Sequence, residues 1–149
     1  MILEFIAACI GTVAFSLIYH VPRKYYPLCG VIGGCGWICY RIMESVCTVP
    51  EATFFATVVV IFMSRFFAVR QKCPVTIFLV SGIFPLVPGA GIYWTAYYLV
   101  MNETELALSK GLMTFKVAVA IVLGIVVVFE LPQKLFRIGI KKDFDSSKI

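Results

Sequence analysis

Charge is scarce in this sequence. Asp, Glu, Lys and Arg make up 14% of its 149 residues, while hydrophobic residues make up 61%. A soluble domain of this length needs more polar surface, so the composition places the chain in the membrane class. Histidine is nearly absent: His20 is the single one. The six cysteines (Cys9, Cys29, Cys35, Cys39, Cys47 and Cys73) form no C-x-x-C pair. Cys35 and Cys39 share a helix face at i, i+4, but no histidine accompanies them. The thiols therefore read as small hydrophobes, and no metal site is expected. A phosphate-binding P-loop is missing, which excludes nucleotide-driven chemistry in this chain. So are paired intramembrane carboxylates and any nucleophile–base pair, so the chain is not expected to be an enzyme or to hold a cofactor. The apolar runs are continuous, not alternating, which argues against a β-barrel. The opening "MILEFIAACI" lacks a basic n-region and carries Glu4, so it reads as a retained first helix and not as a signal peptide.

What is present is a series of apolar runs, each near the roughly 20 residues that cross a bilayer core. The sequence predicts an all-α integral membrane protein with about five transmembrane segments: Ile2 to Val21, Tyr25 to Met43, Ala52 to Val69, Val75 to Met101, and Gly111 to Leu131. Residues 1–131 form one helical membrane domain in this reading. Residues 132–149 form a basic tail with Lys134, Arg137, Lys141, Lys142 and Lys148. In a chain of this composition the tail is a topology signal, and no nucleic-acid partner is expected. Arg23 and Lys24 follow the first segment, and Arg70 and Lys72 follow the third. With five spans these regions and the tail share one side. The positive-inside rule makes that side the cytoplasm and puts the N-terminus outside. The opposite loops, "ESVCTVPE" and "NETELALSK", are acidic on balance.

The second segment reads "CGVIGGCGWICY". Gly30 and Gly34 form G-x-x-x-G, with Gly33 and Gly36 widening the small patch. Small residues let helix backbones approach closely in lipid. Ala8, Thr12 and Ser16 make a similar stripe on the first segment. These faces predict tight packing or contact with another subunit, so a homo- or hetero-oligomer is expected.

The fourth segment is longer than a simple span and is interrupted by "IFPLVPGAGIYW". Pro85 and Pro88 each remove an amide donor and clash with the preceding turn. With Gly89, Ala90 and Gly91 behind them, they predict two half-helices of about 15 Å each, meeting near mid-depth or at the tip of a re-entrant hairpin. Irregular backbone at that depth survives inside protein or along a wet cavity. The amides of residues 89–91 would open the second half-helix and present a partial positive charge, suited to an anion or a substrate carboxylate. Tyr93 and Tyr97 share a face beyond the break and could line a path. Arg65 and Lys116 are charges within apolar segments and are candidates for attracting an anion.

These residues resemble a known family. "YHVPRKYYPLCGVIGGCGWICY", "CPVTIFLVSGIFPLVPGAGIY" and "GLMTFKVAVAIVLGIVVVFELP" are similar, in order, to the helical part of the threonine/serine exporter family. The motif falls on Pro22, Gly30, Gly33, Pro85, Pro88 and Gly89, with Phe84 where the family often has Ile. The resemblance implies the small, all-helical subunit of a two-part exporter in a bacterial inner membrane. It implies a larger partner subunit and a small carboxylate-bearing solute: threonine, serine or a dicarboxylate such as succinate. The alternative is a membrane scaffold or assembly subunit that transports nothing.

Overall fold

A computed structural model of the chain describes residues 1–132. The expected basic tail, apart from Pro132, lies outside the described residues. Every regular element among these is helical: α1 (Ile2–Ile18), α2 (Tyr26–Glu44), α3 (Val49–Gln71), α4 (Thr76–Gly82), α5 (Gly89–Val100) and α6 (Thr104–Glu130). Short 3-10 turns occupy Arg23–Tyr25 and Phe84–Leu86.

Local chemistry sets the helix ends. At the start of α3 the Thr48 side chain meets the amide of Glu51, and the Glu51 carboxylate accepts from the Thr48 N–H at 2.9 Å. This reciprocal box satisfies two donors that the first turn would otherwise orphan, and Pro50 loses nothing there. Three helices end alike. His20 (φ 53°), Lys72 (φ 52°) and Asn102 (φ 65°) adopt the left-handed conformation after α1, α3 and α5. Behind each, paired bonds close the last turn: Val21 N–H to Ser16 O with His20 N–H to Leu17 O, and equivalent pairs at Cys73/Lys72 and Glu103/Asn102. These are Schellman closures.

Packing runs α1 on α2, α2 on α3, α3 on α6 and α6 on α5, with α4 set against α2 and α3. The core lies where α2, α3 and α4 meet, around Cys29, Ile32, Val60, Ile61 and Phe78. Close approach on α2 comes from glycine. Gly30, Gly33 and Gly34 face Cys9, Thr12 and Phe5 of α1, whereas Gly36 faces Val60 of α3. Buried hydroxyls do not interrupt this apolar interior. Thr12, Ser16, Thr53, Thr57, Ser64 and Ser81 each donate to the carbonyl four residues earlier in their own helix.

The surface is apolar. Ile10, Leu17, Ile92, Leu99, Phe115 and Val122 are all exposed, an arrangement suited to lipid. Helices α3 and α6 are long and apolar enough to cross a membrane, and the bent α4–α5 pair makes a third such segment if counted as one. The sequence reading expects five crossings. The difference lies in α1, which has only 17 residues, and in α2, whose 19 include four glycines, Arg41 and Glu44.

The chain does break inside the apolar stretch 75–101. Helix α4 stops at Gly82, the 3-10 turn follows, Val87 is extended, and α5 starts at Gly89. The two arms differ in direction by 50°. The break begins at mid-height, since Gly82 packs on Ile32 and Val60. It ends beside the first turns of α3, where Val49 and Thr53 share a cavity with Gly89 to Gly91. Within the bundle, then, α4 ends at mid-height and α5 starts nearer the level where α3 begins. Helices α3 and α6 run in the same direction with an offset. Thr57 packs on Gly124, about 12 Å along α3 but about 30 Å along α6. The first part of α6, with α5 beside it, therefore extends past the start of α3. For that reason α5 contains no buried residue.

Candidate solute-binding site at the helix break

The geometry of the break follows from its two prolines. Neither can donate, so the chain closes with what remains: Leu86 N–H to Ile83 O, Val87 N–H to Phe84 O, and Gly89 N–H to Val87 O at 2.8 Å. Ile92 then donates to Pro88 O, the first bond of α5. Between them the amides of Ala90 and Gly91 find no acceptor among the described residues. The carbonyls of Pro85 and Leu86 accept no bond there either. The break therefore presents two free donors at a helix N-terminus and two free acceptors one turn away. Unpaired backbone groups of this kind are costly in an apolar setting unless water or a ligand meets them.

They face space. A cavity of about 330 Å³ is lined by the chain from Pro85 to Gly91, by Trp37 and Tyr40 of α2, by Val49 and Thr53 of α3, and by Met113, Thr114 and Val117 of α6. The hydroxyls of Thr53 and Thr114 donate to Val49 O and Lys110 O, which leaves their oxygens as acceptors. The Trp37 indole N–H makes no hydrogen bond among the described residues. Helix α5 sits close to α6 because residue 91 is glycine: a Cβ there would lie 2.3 Å from Thr114 Oγ1.

Of the residues singled out from sequence, Pro85, Pro88, Gly89, Ala90 and Gly91 line this cavity, and Tyr93, Tyr97, Arg65 and Lys116 do not. Tyr93 and Tyr97 stack on the exposed side of α5 with ring centroids 6.4 Å apart. Lys116 is exposed on α6. Arg65 is buried, at 6% exposure. Its guanidinium donates to the carbonyls of Val128, Phe129 and Leu131 at the end of α6, and it lies over the Phe129 ring. Sequence reasoning missed Trp37, Tyr40, Thr53 and Thr114. The available signal was a Trp and a Tyr three residues apart on the glycine-rich helix.

A second cavity, about 370 Å³, lies on the α1 side, between Glu4, Ala8, Gly11 and Phe15 of α1 and the residues Trp37, Phe84 and Pro85. An ion-pair chain runs across the same end of the bundle. Arg41 donates to Glu4 at 3.2 Å and to Glu44 at 2.6 Å, and the Tyr40 hydroxyl donates to Glu44 at 2.9 Å. No group of residues suited to a metal ion occurs among the described residues.

Helical throughout its described residues, with an apolar exterior, helices of spanning length and an interrupted helix that opens onto a cavity, the chain has the make-up of a helical membrane protein. Its sequence matches the family described as "Threonine/Serine exporter, ThrE" over residues 4–130, and the chain belongs to that family. An uncharacterized protein of Haemophilus influenzae is 28% identical over 94 residues, covering 62% of this chain and 32% of that protein. The chain thus spans about a third of the length over which that relative extends. No solved structure matches.

Proposed function

We propose that the chain is the small membrane subunit of an exporter for small carboxylate-bearing solutes, and that the cavity at the helix break is its solute site. The observation that carries this is the pair of unsatisfied amides at Ala90 and Gly91, at a helix N-terminus that borders an open cavity. A carboxylate suits those donors, and the free carbonyls of Pro85 and Leu86 suit an ammonium or a second polar group. Threonine, serine and a dicarboxylate such as succinate all meet the carboxylate requirement. In this reading α4 and α5 make the fourth of five crossings, as discontinuous helices do in other transporters. The N-terminus lies outside a bacterial inner membrane and the basic tail in the cytoplasm. The chain works with a larger subunit of the same family.

The test is efflux of labelled threonine, serine and succinate from cells making the chain with and without a larger family subunit. Export of at least one solute, dependent on both chains, is expected; no change in any of the three sinks the reading. The site itself is tested by Ala90→Pro. Proline in the first turn of a helix is tolerated, and the Ala90 N–H bonds to nothing among the described residues, so the fold loses little. A hydrogen bond to a charged ligand contributes about 1.5–3 kcal/mol. The apparent KM for export should therefore rise by roughly 10- to 100-fold, with normal membrane levels of the protein. An unchanged KM places the solute elsewhere.

A further inference from the structure

The two cavities share a wall. Trp37 and Pro85 line both the space at the break and the space under α1. We infer that the Trp37 ring is the partition between two stations of one solute path, and that it sets the size of solute able to pass. This rests on the exporter reading of the break.

The sequence around Trp37 explains why a large ring is needed there. On α2, Gly30, Gly33 and Gly34 draw α1 into close contact. One turn further on, Trp37 lines the cavity bounded by α1 and by Phe84 and Pro85 of the 3-10 turn. It is only half-buried. Its ring is braced by Tyr40, with centroids 5.4 Å apart, and by no hydrogen bond through its indole N–H among the described residues. A ring held by one aromatic neighbour can change rotamer, whereas Pro85 opposite it is fixed in backbone. The floor of the α1-side cavity is likewise aromatic, with Phe15 stacked on Phe84. On that side the charged group lining the cavity is Glu4, ion-paired with Arg41; on the other the amides of Ala90 and Gly91 wait. Moving a single side chain therefore joins a mouth edged by the Glu4–Arg41 ion pair to the free amides of the helix end.

Two positions allow a test that does not depend on transport. A Cβ at Gly11 or at Gly89 meets nothing within 4 Å, and the two residues line opposite cavities. In full-length protein carrying Gly11→Cys and Gly89→Cys, a short bis-maleimide should link the two thiols slowly, as read by peptide mass mapping. Adding Trp37→Ala should raise that rate by roughly an order of magnitude, and Trp37→Phe should give an intermediate rate while preserving an aromatic core. Equal rates in all three proteins overturn the partition. In the efflux assay, Trp37→Ala should raise export of a bulkier amino acid relative to threonine, with Trp37→Phe between; an unchanged ratio overturns the size-setting role. Should the parent chain export nothing, the exporter reading falls, and the linking rates still decide whether Trp37 divides the cavities.

Discussion

Arg65→Ala is expected to destabilise the protein by about 2–5 kcal/mol, because it uncaps the end of α6 inside the bundle. The last carbonyls of any helix lack partners. Here Leu131 is followed by Pro132, which has no N–H to offer. The Leu131 N–H reaches back to Val128 O, and the guanidinium shares that carbonyl and supplies donors to Phe129 and Leu131. It also places a positive charge at the negative end of the helix dipole. An orphaned buried acceptor costs about 1–3 kcal/mol, and alanine would take the Arg65 donor from the carbonyls of Phe129 and Leu131 while leaving a cavity where the side chain packed. Arg65→Lys should recover part of the loss, since an ammonium is a point charge without the planar fork that reaches three acceptors. The measurement is thermal unfolding in detergent, with protease cleavage near residue 130 as a local readout. Equal melting of Arg65→Ala and the parent would show that the contact carries no stability.

The same residue marks a limit of sequence reading. A cation deep in an apolar segment is a conspicuous signal, and it suggests an anion. Its partners are carbonyls more than sixty positions away, and nothing in the local sequence announces them. The break was more legible. Pro85 and Pro88 remove donors wherever they fold, so an interruption at 83–88 follows from covalent structure alone. Its height in the bundle did not follow, because the offset between α3 and α6 is set by Thr57 meeting Gly124, a long-range contact. Helix ends show the same contrast. The box at Thr48–Glu51 can be read from residue types, whereas the closures at His20 and Lys72 use residues that carry no turn signal, in place of the usual glycine.

Trp37 was invisible as a site residue for a related reason. Its role depends on which side of α2 faces α1 and which faces α3, and the glycines serve both: Gly33 faces Thr12, Gly36 faces Val60. A count of small residues predicts close packing without saying where packing stops. Trp37 lines both cavities, while α1 and α2 stay in touch beyond it through Glu4 and Arg41.

Gly33→Val should separate α1 from α2. A Cβ at position 33 would lie 2.0 Å from Thr12 Oγ1 and within 3 Å of both other Thr12 side-chain carbons. Thr12 cannot yield easily. It is fully buried, its hydroxyl is committed to Ala8 O at 2.8 Å, and its β-branched side chain has few rotamers in a helix. The helices must move apart instead, which forfeits the contacts of Cys9 with Gly30 and Gly34 as well. Overpacking of this kind costs about 1–3 kcal/mol in soluble cores, and here it falls on the longest contact that α1 makes. Low membrane levels and a lowered melting temperature are expected for Gly33→Val. The double variant Gly33→Ala with Thr12→Ala should recover most of both, because it removes Thr12 Oγ1 and Cγ2 and leaves only the Cβ of residue 12, at 2.8 Å, for the new methyl to meet. Gly11→Ala is the control: its Cβ meets nothing within 4 Å, so it should melt with the parent. Failure of Thr12→Ala to rescue Gly33→Ala would show that the α1–α2 contact is not where the strain arises.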